Sequence, residues 1–213
     1  MKRYYPIFLD LEGKVAAVVG DGPEVAVRTL VLLDVGAFVR VVARHPSDAL
    51  RELADEGRIE LRARAFEPGD LDGAVIAIAT HDAGPALRDE ATSARVPLNV
   101  VDRAQLCDWI HGAVLRRGAL VAAISTSGSA PALAVRLRDE LGESLGPEYA
   151  RFLEMAADHR GPIARTGLDF AARRALWYRL ADSGALAALR DGDEERARGI
   201  FAGEIRASAR GVA

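Results

Sequence analysis

Along the first half of the chain, short unbroken apolar runs alternate with stretches whose apolar residues recur at helical spacing. Residues 14–19 make a run that is too short for a helix and apolar on both faces, as a strand inside a sheet must be. Residues 23–35 follow with helical spacing, opened by Pro23, whose fixed φ suits a first turn. The alternation continues through a strand at 38–43, a helix at 47–56 behind Pro46 and Ser47, and a strand at 58–64. A strand at 74–79, a helix at 83–95 and a strand at 98–101 complete it. Strands separated by helices cannot pair as hairpins, so this order predicts a parallel sheet with helices on both faces.

After about residue 112 the rhythm changes. Residues 113–115 and 120–124 read as two strands joined through Arg116-Arg117-Gly118, and they lead into a Ser-Gly loop. Pro131 opens a helix to about residue 141, and from 147 onward the chain reads as helices broken at Gly161-Pro162, Ser183-Gly184 and Asp191-Gly192. Three regions are expected: an α/β domain over 1–112, a small α+β region over 113–146 and a helical region over 147–213. Two strands have too few neighbours in one chain to bury both faces, which predicts that the region after 112 pairs with a second copy.

The first candidate chemistry lies between the first strand and the first helix, in Gly20-Asp21-Gly22-Pro23-Glu24-Val25. The first glycine permits a tight turn, the second lets backbone approach a pyrophosphate, and the helix start faces the anion with its N–H groups. An ordinary strand-to-helix turn is the competing reading. In an alternating α/β chain the motif predicts a Rossmann-type doubly wound sheet that binds a nicotinamide dinucleotide, with Thr80 and Asn99 joining from later strands. The third motif position holds Val25 instead of a small residue, which predicts a helix standing slightly off the sheet. The second strand ends in Ala43-Arg44-His45, where an acidic residue is usual for the adenosine ribose. Arg44 could meet a 2′-phosphate or be a solvated arginine, so NAD is expected and NADP is left open.

Composition narrows the partners. Basic residues number 28 against 31 acidic, for a net charge of −3, which argues against a general nucleic-acid binder. The longest apolar stretches, such as 73–79, fall far short of the roughly 18 residues a membrane helix needs. Cys107 is the sole cysteine and the opening residues do not resemble a secretory signal, so a reducing cytoplasm is expected. His45, His81, His111 and His159 are scattered without ligand spacing, and no metal site is expected.

Several segments resemble the precorrin-2 dehydrogenase family, which includes the N-terminal module of siroheme synthase. Residues 6–11 and 18–24 are similar to that family's opening and glycine loop. The segment Asn99-Val100-Val101-Asp102 with Leu106-Cys107-Asp108-Trp109-Ile110 is the most specific match, and residues 124–134 resemble the family's Ser-Gly loop and helix. Arg173-Arg174 and Trp177 resemble a motif of its helical tail. The resemblance implies a homodimer that uses NAD to oxidise precorrin-2 to sirohydrochlorin. It places Pro23, Glu24, Arg44 and His45 against the cofactor, and Asp102 as the catalytic aspartate. Ser125, Thr126, Ser127, Gly128 and Ser129 would meet substrate carboxylates together with Arg136, and Arg116, Arg117 and Arg138 are further arginines of that region. The sequence departs from the family at His111-Gly112, where an aromatic-Pro pair is common; His111 is read as a polar residue on the rim of the cleft. It departs again at Val27-Arg28, and at Thr126, where some members carry a phosphorylated serine.

Asp102 at the carboxyl end of a parallel strand fits a ligand site, because open α/β sheets bind there. Without the resemblance, the plainer reading of Asp102 is a turn cap before Arg103-Ala104-Gln105. Two alternatives to a dehydrogenase stay open: a chelatase that inserts metal into sirohydrochlorin, and a non-catalytic dinucleotide-binding regulator. No methyltransferase module is read in these residues, so methylation of the precursor is expected to be done elsewhere.

Overall fold

A computed structural model describes residues 2–80 and 84–210. The start assigned to the third helix at Ala83, and His81, lie outside the described residues. The chain divides into two units, 1–111 and 112–213.

In the first unit, β1 (Val15–Val19), β2 (Phe38–Val42), β3 (Ile59–Arg62), β4 (Ala74–Ala79) and β5 (Leu98–Val100) form one sheet in the order β3-β2-β1-β4-β5. Every neighbouring pair is parallel. The chain therefore builds outward from β1 through β2 to β3, then crosses back to β4 and β5. The switch falls between β1 and β4, the place where such sheets bind ligands. Alternate side chains of β1 divide the core. Ala16 and Val18 pack with Val25 and Leu32 of α1 (Pro23–Asp34) and with Leu50 and Leu53 of α2 (Asp48–Asp55). Ala17 and Val19 pack on the other face with Leu87 and Ala91 of α3 (Pro85–Ala94). Two-sided burial explains why these strands are continuously apolar, and each large side chain so buried contributes about 1.5–3 kcal/mol. Val25, at the third motif position, is itself part of this core.

The second unit opens with the antiparallel hairpin β6 (Ala113–Arg117) and β7 (Leu120–Ile124). The turn is Gly118-Ala119, with Gly118 at φ +57°, and not Arg116-Arg117-Gly118 as the sequence predicts. The left-handed glycine closes the loop in two residues, which leaves both arginines paired within the strand. Helices α4 (Pro131–Ser144), α5 (Glu148–Ala164), α6 (Phe170–Asp182), α7 (Ala185–Arg190) and α8 (Glu194–Arg210) follow. Met155, Ile163, Leu176, Leu180 and Phe201 form the centre of the core of the later helices.

The breaks at Ser183-Gly184 and Asp191-Gly192 stand where expected, whereas α5 runs through Gly161-Pro162. Pro162 lies in the final turn, close to where the helix ends anyway, and the adjoining Ile163 is fully buried in the core. The chain turns instead at residues 165–169, where Gly167 has φ +73° and Asp169 caps α6 by accepting the Ala172 N–H at 2.8 Å. No helix among the described residues is long and apolar enough to cross a membrane.

Candidate active site

Strand register lines up the carboxyl edge of the sheet. Val19 pairs with Val42 and Ala79, Val42 with Arg62, and Ala79 with Val100. Two residues beyond these row-mates come Arg64, Arg44, Asp21 and Asp102, in the spatial order of strands β3, β2, β1 and β5.

The glycine loop is built for close approach. Gly20 has φ +128°, and a Cβ added there would lie 1.8 Å from the Thr80 hydroxyl oxygen. Gly20 N–H donates to Val42 O at 2.9 Å and Thr80 N–H to Val19 O at 3.0 Å, so the loop stays in register with strands on both sides. Gly22 caps α1 at φ 94° and ψ 177°, a region essentially confined to glycine, and a Cβ there would meet nothing within 4 Å. Pro23 takes the first helical position, Glu24 is exposed and pairs with Arg28 at 3.2 Å, and Asp21 accepts the His45 N–H at 2.6 Å. Val19, Gly20, Asp21, Val42, Arg44, Arg64, Ala65, Phe66 and Ala86 line a cavity of about 200 Å³. A bare glycine crest, open space before Gly22 and a helix start behind it fit the phosphates of a dinucleotide.

The strand expected over 58–64 ends at Arg62, which leaves Arg64 beyond it, and no local pattern marks Arg64 or Phe66 as a site residue. Arg64 is held by Asp70, which is 1% exposed and accepts from Arg64 at 2.8 Å, from Arg62 and from the Glu67 N–H at 2.8 Å. Burial pushes the Asp70 carboxyl up, but Arg64, the Glu67 N–H and Arg62 outweigh it and hold the group at about 2. A second Gly-Pro start was also missed: Gly84 caps α3 at φ 82° and ψ 167°, followed by Pro85. It repeats the backbone of Gly22-Pro23 on the strand adjacent to β1.

Asp102 is exposed and left-handed, at φ 59°. The turn beneath it is closed by the Arg103 N–H donating to Val100 O at 3.1 Å. The following single 3₁₀ turn, Ala104–Leu106, has Arg103 at its cap and receives no side-chain cap bond, so the carboxylate of Asp102 does not cap it. The loop is braced below. Asn99, 9% exposed, donates its amide to Trp109 O at 3.0 Å, so that side chain is engaged inside the fold. Arg88 of α3 grips Asp108 through two bonds of 2.8 and 2.9 Å, and that pairing keeps the Asp108 carboxyl below its ordinary range, against partial burial. His111 is exposed at the end of the first unit.

In the second unit, the Ser-Gly loop is a tight turn. Ser127 and Gly128 have φ of 53° and 82°, and Ser129 N–H donates to Thr126 O at 3.0 Å. The Ser125 hydroxyl accepts the Ser127 N–H at 3.0 Å and the Thr126 hydroxyl the Ala130 N–H at 3.2 Å. Arg136 pairs with Glu140 and Arg138 with Asp139, while Arg117 donates to Gly142 O and Leu145 O at the end of α4. A larger cavity, about 500 Å³, lies wholly within this unit beside Arg116, Arg117 and Arg138. Size does not make it the reaction site, because Arg117 and Arg138 already have local partners. Among the described residues no group of three or more potential ligands could hold a metal ion.

Residues 7–113, the sheet with its glycine loop, match the family model described as "Putative NAD(P)-binding". Residues 117–144 match the sirohaem biosynthesis protein central region, and residues 148–205 the sirohaem synthase dimerisation region. The chain belongs to the sirohaem synthase family of NAD(P)-binding proteins. Its relatives include siroheme synthase of Methylococcus capsulatus, 37% identical over 211 residues, which cover 97% of this chain and 44% of that protein. Siroheme synthase of Pseudomonas fluorescens is 38% identical over 179 residues, 82% of this chain and 38% of that protein. The chain thus spans less than half the length of these relatives. Among solved structures, SirC, a precorrin-2 dehydrogenase, superposes with a TM-score of 0.74 at 23% identity, over 95% of this chain and 99% of that one. The likeness extends over the Rossmann-type sheet of the first unit and the hairpin and helices of the second, and shows the fold alone.

Proposed function

We propose that this chain oxidises precorrin-2 to sirohydrochlorin in the cytoplasm, with NAD or NADP accepting the hydride. The observation that carries the reading is the shared carboxyl edge: a glycine loop fit for a dinucleotide and an exposed aspartate in a left-handed turn stand on one row of strand ends. The bound nicotinamide supplies the hydride acceptor. The chain's own residues do the rest. Gly20 and Gly22 admit the phosphates, and the start of α1 neutralises part of their charge. Asp102, whose carboxylate has no hydrogen-bond or ion-pair partner among the described residues, accepts the proton released as hydride leaves. A side chain held in a left-handed backbone turn and without a bond among the described residues fits a reacting group better than a turn cap. The Ser125–Ser129 turn and Arg136 are suited to substrate carboxylates, and His111 to the polar rim.

The working form is a homodimer, and a tetrapyrrole, not nucleic acid, is the other partner. Supporting the dimer, Leu133, Leu137 and Leu141 recur at i,i+4 spacing on α4 and all are exposed.

Anaerobic turnover of enzymatically generated precorrin-2 tests the reading, with sirohydrochlorin absorbance and reduced-cofactor formation followed together. Both signals should rise in step in the wild type, and Asp102→Asn should abolish both while dinucleotide affinity is kept. Dinucleotide binding without turnover by the wild type would instead favour a chelatase or a regulator, and adding cobalt or iron to sirohydrochlorin separates those two.

A further inference from the structure

We propose that Lys2 and Arg88 are positioning residues for the oxidation: together they hold the exposed stretch of chain after Asp102, and so fix where its carboxylate stands. Both roles rest on the reading of Asp102 as the proton acceptor, and they add to it the groups that keep that residue in place.

Residues 102–106 are all exposed, so core packing does not fix them. Beyond them Cys107 is buried, and Trp109 is tied back by its ring N–H donating to Pro97 O at 3.2 Å. The single turn Ala104–Leu106 is too short to satisfy its own carbonyl groups. Two cations take them instead. The Lys2 ammonium donates to Ala104 O at 3.4 Å, Gln105 O at 3.0 Å and Cys107 O at 2.9 Å, three acceptors for a group with three N–H bonds. Arg88 takes the remaining carbonyl, Leu106 O, at 3.2 Å, through the same nitrogen that bonds Asp108 at 2.8 Å. Each carbonyl from 104 to 107 is thus held by a cation from elsewhere in the sequence.

Asp108 joins the clamp to the sheet. Its carboxylate also accepts the Leu98 N–H of β5 at 3.0 Å; Arg88 does most to keep that carboxyl below its ordinary range, and the charge of Lys2 adds to it. Arg88 has a second attachment, because it lies on α3 two residues after Ala86, which lines the cavity at the glycine loop. Hydride and proton leave one substrate, so the nicotinamide and Asp102 have to keep a fixed separation. Arg88 ties the helix that opens at the dinucleotide cavity to the loop that carries the acceptor. An exposed clamp of this kind contributes little to stability. Yet a displacement of about 1 Å in a reacting group can cost on the order of a hundredfold in rate.

Steady-state turnover of the full chain, beside dinucleotide titration and thermal melting, tests the two roles. Arg88→Met and Lys2→Met keep the aliphatic stems and remove the charges. Arg88→Met should lower kcat on the order of ten- to a hundredfold and Lys2→Met by less, with KM, dinucleotide affinity and melting temperature close to wild type. Lys2→Arg should restore most of the rate and Arg88→Lys only part, since lysine keeps the charge but not the paired donors. Asp108→Asn should match Arg88→Met, and the two together should be no slower than either alone. Hydrogen exchange read by mass spectrometry reports apart from activity: peptides over 101–108 should exchange faster in the variants, and peptides of β1 and β4 should not. An active wild type whose Met variants keep their kcat overturns the positioning roles alone. Variants that lose dinucleotide affinity and melting temperature in step with kcat also overturn them, making Lys2 and Arg88 structural. A wild type without turnover overturns the reading of Asp102, and these roles with it.

Discussion

The Thr80 hydroxyl oxygen stands 1.8 Å from the point a Cβ on Gly20 would occupy. Gly20→Ala therefore meets two obstacles, a backbone at φ +128° and a buried neighbour on β4's exit, whereas Gly22→Ala meets only the backbone. Each backbone penalty is about 1–3 kcal/mol. In urea denaturation Gly20→Ala should be the less stable of the two. Adding Thr80→Ala should recover part of the loss at Gly20 and none at Gly22. Dinucleotide affinity should fall in both single variants. Equal stabilities would show that the loop relaxes around the Thr80 contact.

Asp102 offers a separation of stability from activity. A left-handed backbone costs an ordinary residue about 1–2 kcal/mol, less for Asp or Asn, and costs glycine almost nothing. Asp102→Gly should leave the protein about as stable as wild type by thermal melting, and Asp102→Ala should lower stability by about 1 kcal/mol. Both should lack turnover. An active Asp102→Gly variant would remove the proton-acceptor role.

The Asp70 cluster sets an acid limit on the first unit. Its carboxyl is held at about 2, below its value of 3.8 in an unfolded chain, so the charged form is favoured by folding. The stability it contributes is complete above about pH 4 and is lost as pH falls toward 2. Asp70→Asn should flatten that part of the pH–stability profile. It should also lower stability at neutral pH by about 3 kcal/mol, because Arg62 and Arg64 are left facing each other without their shared partner. An unchanged slope of denaturation midpoint between pH 4 and 2 would count against this assignment.

The α4 stripe predicts a change of mass. Leu137→Glu places a charge in the middle of the Leu133-Leu137-Leu141 row, on a side chain that is already exposed within one chain. Folding should be unaffected by circular dichroism, while light scattering should move from a dimer to a monomer. A monomeric wild type at micromolar concentration would overturn the dimer.

Much of the sheet was legible because strands buried on both faces, such as Ala16-Ala17-Val18-Val19 and Ile76-Ala77-Ile78-Ala79, carry their signal in composition alone. The glycine loop was legible for a related reason: its chemistry is backbone chemistry, and glycine advertises it. Arg64 and Phe66 enter the cavity only through the register of β2 on β3, which no local pattern encodes. The left-handed turn at Asp102 was hidden too, since aspartate does not declare φ as glycine does. At Gly161-Pro162 a breaker was overread, because a proline's effect depends on its distance from the helix end. At Thr166-Gly167 and Asp169 a stop and a cap were present and passed over.

The sole cysteine gives the turn at Asp102 its character. The sulfur of Cys107, buried, accepts the Val100 N–H at 3.2 Å and lies 3.2 Å from Val100 O and 3.3 Å from Arg103 O. Those two residues bracket Val101 and Asp102, so both feet of the turn are stitched to one atom beneath it. A crest supported from below in this way has no need of glycine: it can carry a charge in a conformation most side chains avoid, and hold it still.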